Sequence, residues 1–219
     1  MPHRKQIAVI LAGSGVYDGS EIHEAVFALW AIEKAGAVYR AFAPDIDQYH
    51  VINHLSGEPV TGKRNVLMEA ARITRGKIAP LSLLDPGVFD AVIIPGGYGV
   101  AKNLCSFAFD GANCKVDEQV AKIIKGFHKQ RKPIGALCIS PVLVAKVLGK
   151  VDVTIGSDKD TANALTEMGA RHTAATHGEV VVDKENNVYT TPCYMLDASI
   201  TQIASDVEKL VNVLVRSLE

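Results

Sequence analysis

The chain has 219 residues, 48% of them hydrophobic and 21% charged, with a formal net charge of −1. That profile fits a globular protein long enough to bury a substantial core. The absence of a basic run argues against a nucleic-acid partner, and every apolar stretch breaks before the roughly 20 residues a bilayer span needs. In chain order, Ile7-Ala8-Val9-Ile10-Leu11-Ala12 is a continuous apolar run ended by Gly13-Ser14-Gly15, the pattern of a fully buried parallel strand. Asp18-Gly19-Ser20 supplies caps for a helix over 21–35, stopped by Gly36. A strand over 37–43 closes at Pro44, and 45–63 reads as an excursion with at most short strands.

Residues 65–75 are good helix formers with Gly76 at the C′ position, and 90–95 is another buried strand running into Gly96-Gly97-Tyr98-Gly99. A helix over 116–130, a central strand over 132–137 and a helix over 141–148 follow. Beyond them come a strand over 151–155, a helix over 161–168, short strands over 180–182 and 188–191, and a closing amphipathic helix over 200–218. Strands alternating with helices predict one α/β domain over 1–219. Its sheet is mostly parallel and doubly wound, with helices on both faces and ligands at the carboxyl ends of the strands.

The sharpest chemical signal lies at Cys138-Ile139-Ser140-Pro141. Ser is a favoured N-cap and Pro suits the first helical turn, so Cys138 falls in the turn between strand and helix. There the unpaired N–H groups of a helix N-terminus favour an anion, which predicts a thiol pKa lowered from about 8.5 towards 5–6. Pro95-Gly96-Gly97 ends a neighbouring strand, where glycines let backbone N–H groups come close to a bound oxygen. The Gly97 and Ile139 N–H groups together could form an oxyanion hole, with Gly96 a further candidate beside them. Neither glycine run is a phosphate loop or a full dinucleotide fingerprint, so no cofactor is expected.

Glu21 and Glu24 open the first helix. Acids stabilise a helix N-terminus in any case, but a partly desolvated carboxyl at the strand-end edge would have a raised pKa and could exchange protons with a thiol or substrate. His177-Gly178-Glu179 has the form of a cysteine-paired base with its orienting acid, yet it sits in a polar turn where a solvated histidine is commonplace. The four cysteines, Cys105, Cys114, Cys138 and Cys193, show no metal-ligand spacing, and no metal is expected. Met1-Pro2-His3-Arg4-Lys5 leads straight into the first strand without room for a signal peptide. With reduced cysteines, that points to the cytoplasm.

Taken together, Gly15-Val16-Tyr17-Asp18-Gly19-Ser20-Glu21-Ile22-His23-Glu24, Val51-Ile52-Asn53-His54, Arg64-Asn65-Val66-Leu67, Pro95-Gly96-Gly97-Tyr98-Gly99 with Lys102-Asn103-Leu104, Cys138-Ile139-Ser140-Pro141 and Thr190-Thr191-Pro192 carry a resemblance. The chain resembles the PfpI-type, class I glutamine-amidotransferase-like superfamily, and most closely its ElbB branch of glyoxalase and isoprenoid-biosynthesis-associated proteins. The resemblance implies a flavodoxin-like fold, often dimeric, with a reactive elbow cysteine and a helix-borne acid at Glu24. Glu21 is the reserve for that acid, and Asn103 is a further candidate within a matching motif. Peptidase-like relatives place a histidine after the nucleophile, where this chain has Ile139. Glutaminase domains carry a glycine and glutamine pattern that Ile139-Ser140-Pro141 lacks, and the histidine of better-known glyoxalase-like relatives would fall near Gly156-Ser157. The resulting expectation is a cofactor-free glyoxalase-type enzyme and a homodimer, acting on glyoxal or a similar small dicarbonyl. The alternatives are a redox-responsive protein with a reactive cysteine and, further off, a glutaminase using Cys138, His177 and Glu179.

Overall fold

A computed structural model describes residues 4–219. Runs of Ile, Val, Leu and Ala that are apolar at every position can be buried only between two layers, and the strands here are covered on both faces. The strands are β1 (Gln6–Ile10), β2 (Val38–Ala43), β3 (Ile78–Pro80), β4 (Ala91–Ile94), β5 (Ile134–Leu137), β6 (Asp152–Val153), β7 (Arg171–His172), β8 (Val181–Asp183) and β9 (Val188–Thr191). Seven of them form one sheet in the order β3-β2-β1-β4-β5-β9-β8, parallel except for β8, which runs antiparallel to β9. The helices are α1 (Ile22–Lys34), α2 (Val66–Ile73), α3 (Phe107–Asp110), α4 (Glu118–Lys129), α5 (Pro141–Leu148), α6 (Lys159–Glu167) and α7 (Ile200–Arg216).

Alternate residues of each central strand feed two separate cores. Ala8, Ile10, Val92, Ile94, Ile134 and Ala136 face α4 and α5, while Ile7, Val9, Ala91, Ile93 and Leu137 face α1 and α7. Complete burial of one such Leu, Ile or Phe side chain contributes about 1.5–3 kcal/mol, so these few strands carry much of the folding energy. This is the doubly wound architecture expected from the alternation of elements. Strand order reverses between β1 and β4, and that switch point opens a crevice at the carboxyl ends of the strands.

Several details depart from the sequence reading. The strand expected over 151–155 is reduced to β6, which leaves the main sheet and pairs in parallel with β7, a strand the sequence did not announce. β3 was also unforeseen: three residues ending in Pro80 give too little periodicity to read. The caps of α1 are redistributed as well. The Ser20 hydroxyl accepts the Ala12 N–H at 2.8 Å and Asp18 Oδ2 accepts the Ile52 N–H at 2.7 Å, so Glu21 itself becomes the N-cap, its carboxylate accepting the Glu24 N–H at 2.7 Å. Among the described residues no helix is long and apolar enough to cross a membrane.

Candidate active site

Four strand ends converge at the switch point: the turn after β1 leading to Glu21 and Glu24, Gly96-Gly97 after β4, Cys138 after β5, and Pro192–Tyr194 after β9. Cys138 has φ = +57°, a left-handed conformation that costs a non-glycine residue about 1–3 kcal/mol and that persists at a nucleophile elbow because the surrounding structure enforces it. Its N–H donates to Thr191 O at 3.1 Å, which ties the elbow to β9. The expected N-cap role of Ser140 is not realised. Its hydroxyl donates instead to Pro95 O at 2.8 Å and so links the ends of β4 and β5.

Glu24 is fully buried. Its Oε2 accepts the Gly96 N–H at 2.8 Å, its Oε1 accepts the Tyr194 N–H at 3.3 Å, and the carboxyl is in hydrogen-bonding contact with the Cys138 sulfur. Gly96 makes this contact possible. A Cβ there would lie 2.5 Å from Cys138 Cβ and 2.8 Å from Glu24 Oε2. Because its N–H is committed to Glu24, Gly96 shapes and holds the acid rather than donating to a bound oxygen. The Gly97 and Ile139 N–H groups, by contrast, face the Cys138 sulfur. Among the described residues neither donates to a backbone carbonyl elsewhere.

Burial, reinforced by the charge of Glu21, pushes the Glu24 carboxyl up to about 8, against the opposing pull of the Gly96 and Tyr194 N–H groups. Glu24 therefore carries a proton at neutral pH. The thiol does not follow the lowered pKa expected from its place in sequence. Burial drives Cys138 well above an ordinary thiol, Glu24 adds to this when ionised, and the Gly97 and Ile139 N–H groups only partly offset it. The sequence argument counted the helix N-terminus but had no measure of desolvation, which is the larger effect.

The sulfur opens onto a cavity of about 330 Å³, walled by Glu21, Gly97, Tyr98, Phe107, Cys138, Ile139, Asp158, Thr161 and Tyr194 among others. Of the sequence candidates, Cys138, Glu24, Gly96, Gly97, Ile139 and Glu21 are brought together here. Asn103 is not among the cavity residues. Its amide nitrogen donates to Ala12 O and Asp18 O, both at 3.0 Å, and its oxygen accepts the Tyr49 N–H at 3.0 Å, so it braces the loops behind the site. Tyr194 was missed by the sequence reading. Its hydroxyl is 2.8 Å from His23 Nδ1, itself 3.9 Å from Glu21 Oε1, so a phenol that lines the cavity is anchored by an imidazole outside the lining. Asp158 was missed as well, although it follows directly on Gly156-Ser157; it caps α6 by accepting the Thr161 N–H at 2.8 Å. Among the described residues no group of three or more His, Cys, Asp or Glu side chains is placed to hold a metal ion.

His177 and Glu179 do not pair with each other or with Cys138. His177 Nδ1 lies 2.7 Å from buried Asp206 and Nε2 lies 3.1 Å from Asp197 O, while Glu179 accepts the Thr176 N–H at 2.7 Å. The hydrogen bond to Asp206 raises the His177 pKa above its ordinary 6.5. Below about 6.5 the imidazolium is present in both folded and unfolded chains and the ion pair contributes in full; the contribution fades as pH rises through the folded-state value. We expect His177→Ala to lower the melting temperature more at pH 6 than at pH 9. Equal losses at both pH values, measured by thermal denaturation, would contradict an ion-pair role.

Residues 7–195 match the family model described as the DJ-1/PfpI family. The chain belongs to the DJ-1/PfpI family. Within it, the human protein named glutamine amidotransferase-like class 1 domain-containing protein 3, mitochondrial, is 45% identical over 216 residues, covering 94% of this chain and 81% of that protein. The zebrafish (Danio rerio) ES1 protein, mitochondrial, is 38% identical over 206 residues, covering 86% and 76%. A crystal structure from Ehrlichia chaffeensis, titled an isoprenoid biosynthesis protein with amidotransferase-like domain, superposes with a TM-score of 0.92 at 35% identity, covering 98% of this chain and all of that one. These matches bear out both the motif-based resemblance and the flavodoxin-like fold of this DJ-1/PfpI member. They overturn the cytoplasmic expectation, because the human and zebrafish relatives, 45% and 38% identical over most of the chain, are named as mitochondrial. The reasoning behind that expectation was too weak to choose a compartment. Free thiols are compatible with any reducing interior, and Met1-Pro2-His3 lie outside the described residues.

Proposed function

We propose that this protein is a cofactor-free glyoxalase-type enzyme that converts glyoxal, or a dicarbonyl of similar size, to a hydroxy acid such as glycolate. The observation that carries the reading is a buried carboxyl with a pKa of about 8 held against an elbow cysteine beside two inward-facing N–H groups. A group that titrates close to working pH can both take and return a proton, which an aldehyde isomerisation requires. The cavity of about 330 Å³ suits a small substrate.

In this scheme the Cys138 sulfur adds to one aldehyde carbon as the carbonyl π bond breaks. The new oxyanion, or the hydroxyl formed when it takes the thiol proton, sits against the Gly97 and Ile139 N–H groups. The ionised fraction of Glu24 then removes the hydrogen from that carbon as a proton and delivers it to the neighbouring carbonyl carbon. The hydroxyl proton on the first carbon passes to the neighbouring oxygen, so that the first carbon regains a C=O and the second bears a hydroxyl. The product is a thioester of a hydroxy acid on Cys138. Water hydrolyses it, releasing the acid and restoring the thiol, so one water is consumed and no electrons leave the substrate. Tyr194, anchored by His23, is a cavity-lining phenol suited to orienting the substrate's second oxygen. The reading includes a homodimer, supported by Ile22, Val26 and Trp30, which lie exposed at helical spacing on one side of α1.

A second reading, a redox-responsive or regulatory protein with incidental catalysis, is favoured by the lack of histidine among the cavity-lining residues. The deciding experiment is a dicarbonyl turnover assay with product identification, run beside Cys138→Ala and His177→Ala. The enzyme reading expects hydroxy-acid product with kcat/KM at or above about 10⁴ M⁻¹s⁻¹, background rates for Cys138→Ala and a change of no more than a few-fold for His177→Ala. Values orders of magnitude lower, or dicarbonyl loss without hydroxy acid, would favour the sensor. A loss of about 10²-fold or more in folded His177→Ala would restore the glutaminase-like arrangement.

A further inference from the structure

We infer that Cys105 and Cys114 are a dithiol–disulfide pair, placed to close the loop that walls one side of the Cys138 cavity. The base of this loop is clamped. Cys105 forms an antiparallel bridge with Val116, the Asp117 N–H donates to Leu104 O at 2.9 Å, and the Ser106 N–H donates to Lys115 O at 3.0 Å. In an antiparallel pair, residues two apart share a face, so Cys114 stands on the same side as Val116 and diagonal to Cys105. The two thiols are neighbours there, both buried and both free.

The pair is electrostatically unequal. Contact with Cys105, helped by the nearby Lys146 ammonium and opposed by burial, brings Cys114 down to about 7, while Cys105, whose thiol donates to Val100 O at 3.4 Å, is pushed up. Lys146 is fixed in position by donating to Ala112 O at 2.7 Å. Cys114 is therefore the attacking sulfur and Cys105 the resolving one. Between them runs α3, whose Phe107 and Ala108 line the Cys138 cavity, so the bond would tighten the segment that shapes that wall. This inference does not depend on what the cavity turns over.

The oxidant is a hydroperoxide. The Cys114 thiolate attacks one peroxide oxygen, the O–O bond breaks, and an alcohol (water from hydrogen peroxide) departs, leaving a sulfenic acid on Cys114. The Cys105 sulfur then attacks the Cys114 sulfur; the S–S bond forms, the S–O bond breaks, and water leaves with the Cys105 proton. The peroxide gains two electrons and the dithiol loses two. A small dithiol reverses the change by exchange.

Cleavage after Lys102 and Lys115 releases residues 103–115 as one tryptic peptide containing both cysteines, which makes the test direct. The full chain, and a Cys138→Ala variant that removes competing oxidation, would be treated with hydrogen peroxide, alkylated, digested and weighed. In both proteins the peptide should appear unalkylated and lighter by two hydrogens, and dithiothreitol should restore two alkylations. In the variant, thiols counted after unfolding should fall from three to one. Cys105→Ser should instead leave Cys114 as a dimedone-reactive sulfenic acid. The inference fails if the peptide keeps two alkylatable thiols while Cys138 or Cys193 oxidises. It fails equally if Cys114 bonds only to a second chain. Should the Cys138→Ala variant not fold, the same peptide from the unmutated chain decides the matter.

Discussion

Glu24→Gln should lower dicarbonyl turnover by about 10²–10⁴-fold, the usual contribution of a general acid–base group, while making Cys138 easier to alkylate above neutral pH. The amide keeps the shape and a donor beside the sulfur but cannot take a proton. In the parent protein Glu24 ionises first, near 8, and the thiol must then lose its proton beside a carboxylate. With glutamine that charge never forms, so the thiol pKa falls and iodoacetamide labelling speeds up between about pH 8 and 10. Stability should respond too. Between 4.5 and about 8 the folded chain holds a proton on Glu24 that the unfolded chain has released, so stability is lost as pH rises through this window. Glu24→Gln should flatten that slope in denaturant titrations taken across it. Glu21→Gln, which keeps a capping oxygen, should alter stability by about 0.3–1 kcal/mol and leave chemistry largely intact. A large kinetic loss at Glu21 with none at Glu24 would reverse the assignment of the acid.

Gly97→Ala should be nearly as damaging, by a different route. Gly97 sits at φ = +101°, and an added Cβ would run into backbone atoms of Gly19 and Glu21. No rotamer relieves a clash with backbone, so either the turn after β4 or the start of α1 must shift. That shift moves the Gly97 N–H, Glu21 and Glu24 together. The expected results are a stability loss of about 1–3 kcal/mol in urea denaturation and a fall in kcat of roughly 10²–10³-fold, comparable to removing one donor from an oxyanion hole. A folded variant of parental stability and full activity would remove Gly97 from the machinery.

The features that sequence could supply were those written in local chemistry. Continuous apolar runs announced β1, β4 and β5, and their glycine or cysteine ends announced the edge where the site would lie. What escaped was assembled across distance or through solvent exclusion. Tyr194 reaches Glu24 from 170 residues away and carries no motif of its own. The cap of α1 moved to Glu21 because Ser20 and Asp18 found tertiary partners, which local preference cannot foresee. The direction of the Cys138 shift failed for the same reason. A helix N-terminus can be counted from residue types, whereas the burial that outweighs it exists only once α1, β9 and the glycine turn close around the sulfur.

The link from Ser140 to Pro95 has a consequence for how such a site can change over generations. It couples the ends of two strands through one buried hydroxyl, so the spacing of the Gly97 and Ile139 N–H groups is a property of main chain held by that single side chain. Most point substitutions leave main chain where it was. Drift can therefore rewrite the walls formed by Tyr98, Phe107, Asp158 and Thr161, and with them the molecules admitted, while the anion-binding pair passes unaltered from one descendant to the next.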